Sequence, residues 1–219
     1  LAEGAAPPQK RGRRDVSGLV VLAPGLHRWT ARHPDADPSP DPGSAADWGP
    51  DVASVAYEAP DALVLVDPLV PDDRADLRDA LDALVGRHGR RVSILTTLGF
   101  HRRSKEELAA RYDASTSRAR KTLPAGVETV QIKGAGETMV WLPEPRALVP
   151  GDRLLGADGG GLRLCHDSWL RYLPSGMRTA GLRDALRPLL DLPVEMVLVS
   201  HGEPVLRGGR DAIARALEA

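Results

Sequence analysis

Two imidazoles and one carboxylate follow predicted β-strands in this sequence. His101 comes after the predicted strand 92–96, Asp152 lies just past 147–149, and His201 comes after 196–199. Because neighbouring strands of one sheet end side by side, residues far apart in the sequence can meet there on a rigid scaffold. The three side chains together therefore predict a metal site.

The donor types of this trio suit more than one metal. A catalytic zinc site typically has three protein ligands and one position left for water, and the trio would leave that position open. Two histidines and a carboxylate also suit iron(II), and manganese is a further candidate. The ligand types are therefore compatible with zinc but do not identify the metal. The competing interpretation is that no metal binds, each histidine being an ordinary surface or hydrogen-bonded residue and Asp152 a turn residue.

Length and composition indicate one globular domain without an obvious charged partner. The 219 residues carry 29 lysines and arginines against 30 aspartates and glutamates, so no overall field favours nucleic acid or a membrane surface. The single cysteine, Cys165, excludes an intramolecular disulfide and predicts a cytoplasmic protein. No apolar stretch approaches the ~20 residues of a membrane helix. The chain begins at Leu1, so a removed leader upstream stays open.

Hydrophobic periodicity predicts two sheets covered by helices. Residues 1–17 are Pro-rich and basic and predict a disordered tail, with a nucleic-acid arm as a minor alternative, whereas 18–219 form a single domain. The predicted strands are 19–22, 52–57, 62–66, 92–96, 127–132, 138–142, 147–149 and 196–199. The predicted helices are 72–87, a helix opened by a capping box at Ser104 and Glu107, 182–190 broken at Pro188, and one from about 210. This order suggests an α/β (α+β) protein built as a four-layer αββα sandwich.

Two further clusters have side chains of chemical interest. Cys165 and His166 suggest a thiol beside its base, but neighbours on a strand point to opposite faces, so His166 is the better candidate, as an extra ligand or base. His33, Asp35 and Asp37 have donor atoms, yet their proline-rich loop, residues 33–50, predicts a solvated acidic segment.

Four runs of this sequence resemble the metallo-β-lactamase superfamily. They are residues 63–67, ending in Asp67, 94–101, ending in His101, 148–152, ending in Asp152, and 199–202, containing His201. Their order and spacing match over residues 18–218. The resemblance implies an αββα sandwich with metals held by loops at one edge of the sheets, Asp67 as a support for those loops, and an early loop in which Trp29 or Trp48 could border the substrate groove.

The sequence departs from the family at most of its metal ligands. The family motif His-x-His-x-Asp-His, aligned on His101, places Thr96, Leu98 and Phe100 where the other three ligands belong. The family's next histidine falls in the region 134–138, where this chain has none. The resemblance thus implies at most a mononuclear site made of His101, Asp152 and His201. Phe100, which cannot transfer a proton, would fill the vacated space or stack on a ligand.

Two functions follow from this comparison. The first is a hydrolase-like protein of the metallo-β-lactamase fold acting on a small molecule at one metal. The second is a catalytically inactive fold member that binds a small ligand or regulates. Neither the substrate nor the oligomeric state follows from the sequence.

Overall fold

The computed structural model describes residues 13–14, 18–42, 44, 46–117, 123–157 and 159–219. Two residues of the segment expected to be disordered, Arg13 and Arg14, pair as a strand with Val20 and Val21. The remainder of that segment, residues 1–12 and 15–17, lies outside the described residues.

The first sheet has seven strands in chain order. They are β1 (Arg13–Arg14), β2 (Val20–Ala23), β3 (Leu26–Arg32), β4 (Asp51–Glu58), β5 (Ala62–Val66), β6 (Arg91–Leu95) and β7 (Ser115–Ser117). The pairs from β1 to β5 are antiparallel, and β5, β6 and β7 run parallel because helices α1 (Ala75–His88) and α2 (Lys105–Tyr112) return the chain. All five residues of β5 are buried, as expected for a central strand covered on both faces.

The second sheet holds the other half of the chain. Its strands are β8 (Glu128–Ile132), β9 (Glu137–Leu142), β10 (Ala147–Val149) and β13 (Met196–Val197), in the order β13-β10-β9-β8. A separate hairpin consists of β11 (Leu154–Gly156) and β12 (Leu162–Leu164). The helices of this half are a short 3-10 helix (Asp167–Trp169), α3 (Thr179–Leu186), a second 3-10 helix (Arg187–Asp191) that contains Pro188, and α4 (Gly209–Glu218).

Three buried clusters make the layers. Between the sheets, Val64, Val66 and Leu95 of the first sheet pack with Leu142 and Val149 of the second. The apolar face of α1 and α2 covers the outside of the first sheet, and α3 and α4 cover the outside of the second. The predicted αββα sandwich is therefore confirmed. None of the helices in the described part of the chain is long and apolar enough to cross a membrane.

Local details differ from the sequence predictions in informative ways. β3 was not predicted, and the strand expected at 196–199 ends at Val197. The capping box at Ser104 is wrong, because its hydroxyl makes no cap hydrogen bond and instead bonds the backbone N–H and carbonyl of Val70. Ser104 therefore ties the start of α2 to the loop after β5.

Candidate functional site

The three residues of the predicted trio lie in loops at the same end of the two sheets. His101 follows β6, Asp152 follows β10, and His201 follows β13, which is parallel to β10. Backbone hydrogen bonds join these loops to neighbouring strands, from Ala53 N to Ser200 O at 2.8 Å and from Thr138 N to Thr97 O at 2.9 Å. The sandwich thus holds the three loops at one edge.

The structure brings His101, Asp152 and His201 together. Oδ1 of Asp152 lies 3.1 Å from Nε2 of His101 and 3.3 Å from Nε2 of His201. The three side chains are only 7–9% exposed. Their donor atoms therefore meet in a nearly dry position, where electrostatic interactions are strong.

Asp67 supports the trio from the other side of His101. Its carboxylate lies 2.9 Å from Nδ1 of His101 and accepts hydrogen bonds from the backbone N–H and the hydroxyl of Thr97. This bond to Nδ1 orients the ring so that Nε2 faces Asp152. A carboxylate that holds the far nitrogen of a histidine is the usual support of a metal-binding imidazole.

The charges in this cluster favour ionised groups despite burial. Burial opposes a charged imidazole, but Asp152 and Asp67 outweigh it and raise the pKa of His101 to about 9. Burial likewise opposes ionisation of the carboxylates, yet His101 and its neighbours hold the pKa of Asp152 and that of Asp67 below their ordinary value. Without a metal, His101 is thus an imidazolium flanked by two carboxylates.

The separations around Asp152 Oδ1 match those between two ligands of one metal ion. Two donors bound to one zinc ion at ~2.1 Å lie about 3–3.5 Å apart, and both separations from Asp152 Oδ1 fall in that range. Oδ1 is buried and has no hydrogen-bond partner of good geometry among the described residues, although two imidazole nitrogens lie close to it. Across the described ranges no group of three or more such side chains is spaced as a preformed metal site. The trio is therefore not a preformed metal site, although its donor types and both separations from Asp152 Oδ1 suit one ion.

The positions of the missing family ligands hold residues without metal chemistry. Thr96 and Leu98 are buried, whereas Phe100 is 67% exposed, with its ring edge-to-face with His101 at 5.1 Å between centroids. Phe100 thus contacts a candidate ligand but does not fill a buried space. The expectation that Phe100 stacks on a ligand agrees with its position, whereas the expectation that it fills vacated space does not.

Glu137, in the region where the family has another histidine, was missed by the sequence analysis. Its carboxylate is 1% exposed and accepts hydrogen bonds from the N–H groups of Gly151, Asp152 and Arg153 at 2.8–3.0 Å. Burial, together with the charge of Asp152, raises the pKa of Glu137 to about 7, although Arg153 and the N–H groups of Asp152 and Gly151 oppose the shift. Glu137 therefore stabilises the turn that contains Asp152 through these three hydrogen bonds.

Arg103 and Gly151 also shape these loops, and neither was predicted as a site residue from the sequence. Arg103 donates hydrogen bonds to the carbonyls of Ala53 and Asp67 and to the hydroxyl of Ser200, so it joins the loops of His101 and His201. Gly151 has no room for a side chain, because a Cβ would lie 2.6 Å from Thr97 Oγ1. A sequence signal for such long-range contacts does not exist, since each depends on the packed loops.

A cavity of about 620 Å³ opens beside the trio. His201 forms part of its wall, between Trp48 and Trp169, whose rings lie edge-on at 5.5 and 5.7 Å between centroids. The other lining residues are His33, Asp35, Val52, Leu98, Gly99, Phe100, His101, Arg103, Gly136, Asp152, Arg153, Tyr172 and Leu173. The loop expected to be merely solvated therefore supplies His33, Asp35 and Trp48 to this wall.

Two sequence candidates lie elsewhere. Trp29 is a core residue, 1% exposed, whose indole N–H donates to the carbonyl of Leu69. His166 lines a separate cavity and hydrogen-bonds Ser168, while Cys165 beside it is buried. The 3-10 helix (Asp167–Trp169) begins directly after His166, whose ring accepts a hydrogen bond from the backbone N–H of Ser168. The structure thus does not bring His166 to the candidate site.

Comparison with solved structures identifies the fold. No protein-family model and no curated protein matches the sequence. A metallo-β-lactamase from Erythrobacter litoralis has a TM-score of 0.63 at 17% identity, covering 95% of this chain and 94% of that chain. One from Hirschia baltica has a TM-score of 0.62 at 14% identity, covering 91% and 95%. The metallo-β-lactamase FIM-1 from Pseudomonas aeruginosa, in its mono-zinc form, has a TM-score of 0.61 at 13% identity, covering 91% and 94%. The chain therefore has the metallo-β-lactamase fold.

Proposed function

We propose that this protein binds one divalent metal ion through His101, Asp152 and His201 and hydrolyses a small molecule held in the adjacent cavity. The observation that carries the proposal is Asp152 Oδ1, a buried oxygen within 3.3 Å of two imidazole nitrogens that do not hydrogen-bond it well. Zinc is the first candidate, with iron(II) and manganese as alternatives. FIM-1, a similar structure, is described in a mono-zinc form, which supports a single ion in this fold.

Each residue of the site has a defined part in the proposal. A bound metal would supply a Lewis acid and a water that ionises near neutral pH. His101 would bind the metal through Nε2, because its Nδ1 is engaged by the carboxylate of Asp67 and is not available as a ligand. Trp48 and Trp169 pack against His201, restrict the rotation of its ring and reduce the access of water to it.

The second candidate is a small-ligand binding protein without catalysis. It is favoured by Phe100, which stands where the family has an aspartate and which can neither accept nor donate a proton. It is also favoured by the ion pairs of His101 with Asp67 and Asp152, since these satisfy the cluster electrostatically without a metal. In this case the cavity would keep its ligand and the trio would be structural.

The metal content of the purified protein separates the two candidates. The protein is prepared without a metal-affinity tag, and its metals are measured by mass spectrometry for wild type, His201→Ala and His166→Ala. The proposal predicts about one equivalent in wild type and in His166→Ala, whose imidazole is away from the trio, and far less in His201→Ala. Less than about a tenth of an equivalent in wild type, after incubation with zinc, iron(II) or manganese, contradicts it.

A further inference from the structure

The cavity beside the trio has aromatic side chains at two depths. Trp48 and Trp169 flank His201 on its wall. Phe100 and Tyr172 also line it, but they are 67% and 72% exposed and therefore stand at its mouth. Among the residues whose positions are described, only Val21 joins these two as an exposed large hydrophobic side chain. Two of the three exposed large hydrophobic side chains in the described part of the chain thus border one cavity.

This exposure is not explained by the packing of the fold. Neither Phe100 nor Tyr172 belongs to any hydrophobic core cluster of the described residues. Grouped exposed apolar side chains beside a concave site are typical of ligand binding. The Arg171 guanidinium lies 4.8 Å from the ring centroid of Tyr172 and donates to its hydroxyl at 2.6 Å, a contact at the surface.

Most of the charged side chains that line the cavity are engaged within the protein, with Asp35 as an exposed exception. Arg103 uses its guanidinium on the carbonyls of Ala53 and Asp67 and on Ser200, and Arg153 donates from Nε to the carbonyl of Ala135. Asp152 is paired with two histidines. Recognition at the mouth therefore depends on ring contacts more than on ion pairs.

The size of the cavity limits its occupant. Its 620 Å³ falls within the ~300–1,000 Å³ of small-molecule sites. We infer that the ligand of this site carries a planar aromatic ring, which packs on Phe100 and Tyr172 while the rest of the molecule reaches the trio. The ring contact does not require a metal, although its description as part of a substrate rests on the proposed hydrolase function.

A pair of uncharged probes tests this inference. Naphthamide and decanamide carry the same amide group on a body of similar carbon count, one of them planar and aromatic and the other a flexible chain. Their binding to metal-stripped protein is measured by calorimetry for wild type, Phe100→Ala, Tyr172→Ala and Val21→Ala. The last variant is the matched control, because Val21 is exposed on β2 and does not line the cavity.

We expect wild type to bind naphthamide more tightly than decanamide. Phe100→Ala and Tyr172→Ala should each weaken naphthamide about 2- to 10-fold and decanamide less, and Val21→Ala should weaken neither. Equal losses for both probes, no loss in either variant, or no binding of naphthamide to wild type would overturn the inference. Because the measurement uses metal-stripped protein, failure of the proposed metal site leaves its result unaffected.

Discussion

At the scale of single residues, His101 is the centre of the site. One ring nitrogen faces Asp67 and the other faces Asp152, at 2.9 and 3.1 Å. In the metal-free protein both carboxylates favour the imidazolium, whereas a metal would replace the proton on Nε2. His101 and Asp152 can therefore take part in ion pairs or, together with His201, bind a metal, and titration of His101 distinguishes the contributions of Asp67 and Asp152.

Replacement of Asp67 by asparagine should change the titration of His101 in metal-stripped protein. The pKa of His101, raised to about 9 by Asp152 and Asp67, should fall toward its ordinary value when one carboxylate is lost. Because the folded-state pKa lies above the unfolded value of ~6.5, the stabilisation is complete below that pH and is lost as pH rises through about 9. Asp67→Asn should also lower the free energy of unfolding by about 1–3 kcal/mol near neutral pH, since Thr97 loses a charged acceptor.

Nuclear magnetic resonance of the His101 ring and chemical denaturation between pH 6 and 10 measure both effects. Asp184→Asn is a suitable control, because Asp184 is 77% exposed in its side chain and pairs only with Arg187 at the surface. A titration midpoint of His101 that is the same in Asp67→Asn and in wild type would be incompatible with this description.

At the scale of elements, the site depends on loops that are held by other loops. Asp152 lies in a turn after β10, and the three N–H groups of this turn are bound by Glu137 at the first residue of β9. An isolated bridge between Glu137 and Leu98 joins the same place to the loop of His101. Glu137 thus contacts the segments of two candidate ligands without being one.

Glu137→Gln should destabilise the turn of Asp152 while the strands stay intact. The amide keeps one acceptor oxygen but turns an NH₂ group toward backbone N–H donors, so at least one buried donor loses its partner. The expected cost is about 1–3 kcal/mol in the free energy of unfolding. Metal affinity should fall as well, because Asp152 would no longer be held toward His101 and His201.

Denaturant unfolding and zinc titration check the prediction for Glu137. Glu128→Gln is the matched control, since Glu128 is exposed on the neighbouring strand β8 and should change stability by less than about 0.5 kcal/mol. Equal effects of the two substitutions would show that the hydrogen bonds of Glu137 do not matter.

Some elements could be predicted from the sequence and others could not. β5 and β10 were predicted at their observed bounds because their apolar runs are short and uninterrupted. β3 was missed because His27, Arg28 and Arg32 interrupt its apolar pattern. The capping box failed because Ser104 and Glu107 have the right spacing, yet the hydroxyl finds the backbone of Val70 in space. Local patterns thus locate strands but not the long-range partners of polar side chains.

At the scale of the whole molecule, the sandwich explains why the trio could be found and the cavity could not. Parallel pairing of β5 with β6 and of β10 with β13 places His101, Asp152 and His201 at one end of the sheets, as their positions after strands predicted. The cavity wall instead combines the loop of Trp48 with the segment of Trp169, whose indole N–H donates to the carbonyl of Ser44. That contact spans 125 residues and has no local signal.

The central claim is that one metal ion binds His101, Asp152 and His201. Crystals of the protein grown with zinc and measured at the zinc absorption edge test it most directly. We predict one anomalous peak about 2.0–2.2 Å from Nε2 of His101, Nε2 of His201 and Oδ1 of Asp152. A crystal that shows no peak at this position, with the three side chains still in their ion-paired arrangement, would contradict the account.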